Sequence, residues 1–268
     1  MLLVADIGNT NIVFGIHDGE SWRYHWRVRT VRDKMPDEYG ILFRSLLGET
    51  DLAMTSFSAV VLSSVVPPLT GRMQEMLEAQ TGQRPLLVSH EVDTGLTFAV
   101  KNPAEVGADL IANAVAGYAH FEGACIVVDF GTATTFTAVS ADAEFLGVAI
   151  APGVNLTASA LAGGTAQLPQ IDLATPSRAI GTDTISALQS GILFGYAGLV
   201  ERLIARIRTE MEEMDELAAP VPVIATGGLS RVIAPLTDSF DAHDPWLTLE
   251  GLRRIGLRNQ RRNQRRNR

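Results

Sequence analysis

A short apolar run, a polar turn and a second apolar run open the chain. Leu2–Ala5 and Ile12–Ile16 predict two buried strands. The turn between them is mostly small and polar, so its backbone N–H groups can wrap an anion, while the carboxylate of Asp6 can hold a cation. On these residues alone, an ordinary hairpin turn explains the pattern equally well.

The same layout returns at residues 124–139, which read as an apolar strand, an acid, a glycine, a polar turn and a second strand. Aligning Asp6 with Asp129 also brings Gly8 into register with Gly131. Two copies of one unit, 123 positions apart, predict a duplicated domain whose two loops face one cleft.

Strands and helices alternate through most of the chain, which predicts an α/β architecture. Pro and Gly bound the predicted segments, and apolar residues at helical spacing mark the helices. Further strands are expected at 21–30, 59–66, 84–89, 147–153 and 223–226, and helices at 36–47, 69–80, 107–118, 156–161, 185–196 and 199–217. Residues 247–252 are expected to lead into a last helix.

Two helix starts carry candidate chemistry. Asn102 and Glu105 match a helix cap, and Asp109 follows Gly107 near the start of the next helix. The helix dipole alone would favour an acid there, but a carboxylate beside a glycine is also a candidate general base for a hydroxyl. Residues 182–184 are open to the same two interpretations: they cap a helix, or they offer hydroxyls to a substrate.

Composition narrows the class of protein. The 268 residues are 46% hydrophobic and 19% charged, as in a globular protein, and no apolar run is long enough to span a bilayer. The start of the chain lacks the basic region of a signal peptide, and the single Cys125 permits no intrachain disulfide. We therefore expect a cytoplasmic protein without a membrane partner.

Basic residues concentrate at the C-terminus. Residues 252–268 hold 8 of the 22 basic residues and none of the 30 acidic ones, so the rest of the chain is strongly acidic. An acidic body argues against a nucleic-acid partner. The Arg-rich tail, 259–268, can contact phosphates, but we interpret it as a solvated, poorly ordered end.

These motifs together resemble the type III pantothenate kinase family of the acetate and sugar kinase, heat-shock chaperone and actin superfamily. The resemblance implies duplicated actin-like (ribonuclease H-like) domains with mixed sheets flanked by helices, over 1–118 and 119–258, and a homodimer. It covers nearly the whole chain and rests on residues 6–11, 102–109, 129–134, 181–191, 226–229 and 247–252.

The resemblance also implies an activity, the ATP-dependent phosphorylation of pantothenate to 4′-phosphopantothenate in coenzyme A biosynthesis. Asp109 would be the base that accepts the hydroxyl proton, and Asp129 would bind a potassium or ammonium ion. Asp6 would help to place the Mg²⁺ that accompanies ATP. The implied ATP-binding residues are Asp6, Ile7, Gly8, Asn9, Thr10, Asn11, Ile12, Val13 and Thr132, and the pantothenate-binding residues are Gly107, Ala108, Asp109, Leu110 and Thr184.

Two departures from the family pattern fall near the implied substrate pocket. Many members carry Arg where this chain has Leu110, and Tyr just before the Asn-Pro segment, where this chain has Val100 and Lys101. Both bear on substrate affinity more than on the reaction. The alternatives are a related superfamily kinase for another small hydroxyl substrate and a non-catalytic accessory factor of transcription.

Overall fold

The computed structural model describes residues 1–215 and 220–266, which form two compact units. The first unit contains Met1–Leu96, Lys101–Ala116 and the C-terminal residues from Thr248 onward; the second contains Thr97–Val100 and Gly117–Leu247. The domain boundaries expected from the sequence stay a prediction.

The first unit is a five-stranded mixed sheet with helices packed on it. The strand order is β3-β2-β1-β4-β5, with β1 antiparallel to β2 and parallel to β4. The strands are β1 (Leu2–Ile7), β2 (Asn11–His17), β3 (Trp22–Arg29), β4 (Ala59–Ser64) and β5 (Leu86–Leu87), and the helices that begin in this part of the sequence are α1 (Pro36–Gly48), α2 (Pro67–Thr81) and α3 (Ala108–Phe121).

The second unit repeats this topology in a six-stranded sheet. Its order is β11-β10-β7-β8-β9-β6, so β9-β8-β7-β10-β11 corresponds strand for strand to the first sheet. The strands are β6 (Thr97–Phe98), β7 (Cys125–Phe130), β8 (Ala133–Val139), β9 (Glu144–Pro152), β10 (Val223–Thr226) and β11 (Ala242–His243), and the helices are α4 (Val154–Gly163), α5 (Thr184–Asp215) and α6 (Ser230–Ile233). The last helix, α7 (Leu247–Arg266), belongs to the first unit from Thr248 onward.

Each sheet buries its own apolar core. Phe14, Phe43 and Leu69 are almost fully buried in the first unit, where α1 and α2 cover the sheet. Phe136 and Leu193 occupy the corresponding core of the second unit. Burial of such side chains contributes about 1.5–3 kcal/mol each. The α/β class predicted from the alternating pattern and the mixed sheets implied by the resemblance are therefore confirmed.

The structure corrects two predictions about helices. The segments predicted at 185–196 and 199–217 form one helix, α5, as far as Asp215, because the buried side chains of Leu193, Val200 and Ile204 keep one face of it against the core. Residues 216–217 lie outside the described residues. The predicted disordered tail is also wrong as far as Arg266, because α7 continues through it. The Asn259 side chain donates to the Asp93 carbonyl at 2.9 Å, which anchors this part of α7. Residues 267–268 lie outside the described residues.

No helix in the described part of the chain is both long and apolar enough to cross a membrane.

Candidate active site

The loop after β1 is a tight turn with its backbone held from two sides. The Gly8 N–H donates to the Asn11 carbonyl at 2.9 Å. From the end of β3, the Thr30 hydroxyl donates to the Gly8 carbonyl at 2.6 Å, and the Thr30 N–H donates to the Thr10 carbonyl at 2.9 Å. Asn9 and Thr10 stay exposed at the tip, so this loop presents polar groups to solvent from a fixed backbone.

The residues predicted to bind ATP in this loop fall into two groups. Ile7 and Ile12 are fully buried in the core, so neither residue is exposed at the surface of the loop. Asn9 and Thr10 are exposed, and Asp6, Asn11 and Val13 are partly buried. The apolar members of the predicted set therefore position the loop, and its polar members are the candidates for contact with phosphate.

Asp6 lies beside a buried hydroxyl. In the register of β1 and β4, Asp6 pairs with Ser63, which is fully buried. Among the residues that the structure describes, the Ser63 Oγ has no hydrogen-bond partner. Ser63 was not among the predicted site residues, although a hydroxyl residue near the end of a predicted buried strand was a usable signal.

Asp109 is the second residue of α3 and is held close to Gly107. A Cβ placed on Gly107 would lie 2.6 Å from the Asp109 Oδ1, so a larger residue there would force the Asp109 carboxylate to move. The Leu110 N–H donates to the same oxygen at 2.8 Å. Burial raises the pKa of Asp109 above that of an ordinary carboxyl. A carboxylate with a raised pKa is a better proton acceptor near neutral pH, as a general base requires.

The predicted cap at Asn102 belongs to a separate short helix. Its Oδ1 accepts from the Ala104 N–H at 3.3 Å, and its Nδ2 donates to Glu105 at 2.8 Å, which caps the 3₁₀ turn Pro103–Glu105. The long helix α3 begins only at Ala108. Asp109 therefore lies in the first turn of α3, after the break that follows the 3₁₀ turn. A negative charge there stabilises the helix, and the same carboxylate is the candidate catalytic base.

Asp109 and the first loop lie at the same edge of the first sheet. The Val65 N–H, just after β4, donates to the Ile7 carbonyl at 3.0 Å. A Cβ on Gly107 would lie 3.4 Å from a methyl of that same Val65. Val65 therefore links the end of β1 to the Gly107–Asp109 segment, and the structure brings these two predicted groups together.

The loop after β7 is packed much more tightly. Asp129 pairs with Thr226 on the parallel strand β10, as Asp6 pairs with Ser63 on β4. Gly227 follows with a φ of +89°, and a Cβ there would lie 2.4 Å from the Asp129 Oδ1. A Cβ on Gly153 would lie 2.3 Å from the Thr132 carbonyl oxygen. Asp129 and Thr132 are both predicted site residues and lie in one loop. The neighbouring chain segments pack closely against this loop at glycine positions, where a Cβ would clash.

Thr184 begins α5, and its neighbour supplies the helix cap. The Asp183 Oδ1 accepts from the N–H groups of Ile185 and Ser186 at 3.0 Å each. The Ser186 hydroxyl and N–H hold the pKa of Asp183 below its usual range. Asp183 is therefore a capping residue, while Thr184 is exposed, which leaves its hydroxyl accessible to a ligand.

The described residues contain no group of three or more His, Cys, Asp or Glu side chains that could hold a metal ion. A Mg²⁺ ion in kinases is commonly held by one or two carboxylates together with substrate phosphates. The single carboxylate at each strand end fits that mode of binding.

The fold of this chain is shared with known proteins, and its sequence is similar to that of a known family. Two units of this topology, each with a loop after its first strand, are the actin-like ATPase fold. MreB 5 of Spiroplasma citri, solved with bound AMPPNP, aligns over 98% of both chains with a TM-score of 0.59 and 8% identity, which shows the shared fold.

This chain belongs to the type III pantothenate kinase family, whose model matches residues 2–206. A type III pantothenate kinase of Moorella thermoacetica is 46% identical over 259 residues, covering 97% of this chain and 100% of the relative. One of Geobacter sulfurreducens is 45% identical over 260 residues, with the same coverage of both. The family and the enzyme class predicted from the motifs are confirmed; the individual roles of the site residues stay predictions.

Proposed function

We propose that this kinase transfers the terminal phosphoryl group of ATP to the hydroxyl of pantothenate, giving 4′-phosphopantothenate for coenzyme A biosynthesis. The observation that carries this proposal is the similarity to relatives named type III pantothenate kinase along 97% of the chain. The placement of Asp109 beside the first loop supports it, because a phosphoryl acceptor and the phosphate must meet at one place.

Asp109 is the base in this proposal. Its carboxylate accepts the proton of the substrate hydroxyl as that oxygen forms a bond to the terminal phosphorus. The bond from this phosphorus to the bridging oxygen breaks, and ADP leaves. Burial raises the pKa of Asp109, which moves it toward the working pH of a general base. Leu110, Ala108 and Gly107 would position pantothenate from the same segment, and Thr184 would contribute its exposed hydroxyl.

The polar tip of the first loop would bind the phosphates of ATP. Its backbone is fixed by Thr30, and Asn9 and Thr10 point polar side chains outward. Thr132 in the second loop would make a further phosphate contact. Asp6 would hold Mg²⁺, which neutralises charge on the phosphates when bound.

Asp129 would bind a monovalent cation, potassium or ammonium. The oxygen atoms available around Asp129 support this role, since its carboxylate lies close to a loop whose backbone carbonyls are held in fixed directions. The Gly153 N–H donates to the Thr132 carbonyl at 3.2 Å, and the Gly131 N–H donates to the Ala133 carbonyl at 3.1 Å. Carboxylate and carbonyl oxygens are suitable ligands for a hard cation.

We also propose, on the basis of the family to which the chain belongs, that the protein is a homodimer and is located in the cytoplasm.

The test is ADP release by the purified protein with pantothenate or a panel of sugars, with potassium or sodium as the monovalent cation. We expect turnover only when pantothenate is the acceptor substrate and potassium is the monovalent cation. Turnover of a sugar in preference to pantothenate would favour the related kinase instead. No pantothenate turnover in either salt would refute the proposal.

A further inference from the structure

The two loops proposed to hold phosphate contain no basic residue. Residues 8–11 are Gly-Asn-Thr-Asn, and residues 131–134 are Gly-Thr-Ala-Thr. The strand-end residues Asp6 and Asp129 add negative charge. Phosphoryl transfer spreads negative charge over the oxygens of the terminal phosphate, and a positioned Arg or Lys commonly stabilises it. A basic side chain that adds to the charge supplied by Mg²⁺ therefore has to come from elsewhere in the chain.

Arg32 contacts the first loop directly. Its Nη2 donates to the Asn9 Oδ1 at 2.9 Å, and its side chain is exposed. A guanidinium carries five N–H donors in a planar fork, so one bond to Asn9 leaves donors for an anion at the loop tip. Arg32 thus brings a full positive charge to the tip of a loop that has none of its own.

The backbone around Arg32 is fixed in place. The buried Tyr39 hydroxyl accepts from the Val31 N–H and donates to the Val31 carbonyl, both at 2.9 Å. Arg72 Nη1 donates to the carbonyls of Arg32 and Lys34 at 3.3 and 3.2 Å. A guanidinium on a held backbone loses less freedom on binding than one on a mobile loop.

We propose that Arg32 binds the terminal phosphate of ATP and stabilises its charge during transfer, a role that rests on the proposed kinase function. The competing explanation is that Arg32 only braces Asn9. The two differ in what they require, because a brace needs a hydrogen-bond donor, whereas a phosphate ligand needs the positive charge as well.

The substitution Arg32→Gln tests these explanations, since glutamine keeps a side-chain N–H donor and removes the charge. Arg32→Ala removes both, and Arg32→Lys keeps the charge. Arg44→Ala is the matched control: Arg44 is exposed in the same unit and donates to the amide oxygen of Gln80 at 3.0 Å. Calorimetry would measure binding of AMPPNP and of ADP, and steady-state assays would give kcat and KM for ATP.

We expect Arg32→Gln and Arg32→Ala to weaken AMPPNP binding about 10-fold or more, because a charge-assisted hydrogen bond is lost, while ADP binding stays within about twofold. The kcat should fall together with the affinity for AMPPNP, and Arg32→Lys should recover part of both losses. Arg44→Ala should change none of these values, and melting curves should show that all four variants are folded.

Equal loss of AMPPNP and ADP affinity, or wild-type AMPPNP binding by Arg32→Gln, would overturn the role of Arg32. If the variants lose AMPPNP selectively but the wild type does not phosphorylate pantothenate, the role at the phosphate stands and the proposed substrate fails. The two proposals therefore fail through different measurements.

Discussion

The loops after β1 and β7 have the same backbone plan, but different residues hold them. In the first, the Thr30 N–H donates to the Thr10 carbonyl; in the second, the Gly153 N–H donates to the Thr132 carbonyl. The two donors occupy the same place, just after the strand that pairs with each loop's second strand. Thr30 adds a side-chain bond to the Gly8 carbonyl, whereas glycine lets the backbones meet closely.

This difference fits the two roles that we propose for the loops of the duplicated unit. The first loop keeps a longer turn, closed between Gly8 and Asn11, with a polar tip and Arg32 beside it. The second closes between Gly131 and Ala133, and glycine backbones pack around Asp129. An open polar loop suits phosphates, and a tight loop of carbonyls beside a carboxylate suits a cation.

The largest expected effect comes from Asp109, which gives the first unit its proposed base. We expect Asp109→Asn to lower kcat by about 10²-fold or more, because the amide cannot accept the hydroxyl proton. Steady-state assays check this, with calorimetry to confirm that ATP still binds. Near-normal kcat would leave Asp109 with only a helix-stabilising role.

The pH dependence of Asp109 gives a second readout. Because its folded-state pKa is raised, the unfolded chain loses this proton first as pH rises, and the folded state loses stability between the ordinary carboxyl pKa and the raised one. We therefore expect Asp109→Asn to melt at the same or a higher temperature at neutral pH. In the wild type, kcat/KM should fall on the acid side at a pH above the ordinary carboxyl range. An acid limb at the ordinary carboxyl pKa would contradict this.

The next effect tests the tight loop. Gly153→Ala would place a Cβ 2.3 Å from the Thr132 carbonyl oxygen, so the loop must move. We expect a loss of about 2 kcal/mol or more in the free energy of unfolding, measured by urea denaturation, and weaker activation by potassium. Gly191→Ala is the control, because nothing lies within 4 Å of a Cβ there. Equal effects of the two substitutions would show that close packing at residue 153 is unimportant.

The corresponding change in the first loop should be milder. Thr30→Val keeps the backbone bond and the shape of the side chain but removes the hydroxyl that donates to Gly8 at 2.6 Å. One such hydrogen bond contributes about 0.5–1.5 kcal/mol. We expect KM for ATP to rise while kcat changes little. A loss of stability as large as that of Gly153→Ala would mean that both loops depend equally on this position.

The smallest effect is expected at the hydroxyl beside Asp6. Ser63 is buried, and its Oγ has no hydrogen-bond partner within the described ranges. Ser63→Ala should leave the free energy of unfolding unchanged within about 0.5 kcal/mol, or raise it, since no bond is lost. Urea denaturation checks this, and a loss above about 1 kcal/mol would show that the hydroxyl has a partner in solution.

The duplicated loops were predictable because their signal is local. An acid, a glycine and a polar turn between apolar runs recur in order, and the apolar period identifies the strands on either side of Asp6 and Asp129. The link from Ile7 through Val65 to Gly107 was not predictable, because it joins three segments that are far apart in sequence.

Helix ends and side-chain contacts were the harder part. The glycines between 191 and 198 resemble a break, yet the buried stripe through Leu193 and Val200 continues α5 past them. Likewise, the composition of the C-terminal tail favours disorder, but Asn259 and Arg258 bond to Asp93 and hold the helix there. In both cases tertiary contacts outweigh a local tendency.

The most direct test of the account is mass spectrometry of the reaction of ATP and pantothenate with the wild-type protein and with Asp109→Asn. We expect the wild type to form 4′-phosphopantothenate in equal amount to ADP, and Asp109→Asn to form about 10²-fold less while still binding AMPPNP. Release of ADP without phosphorylated pantothenate, or equal product from both proteins, would contradict it.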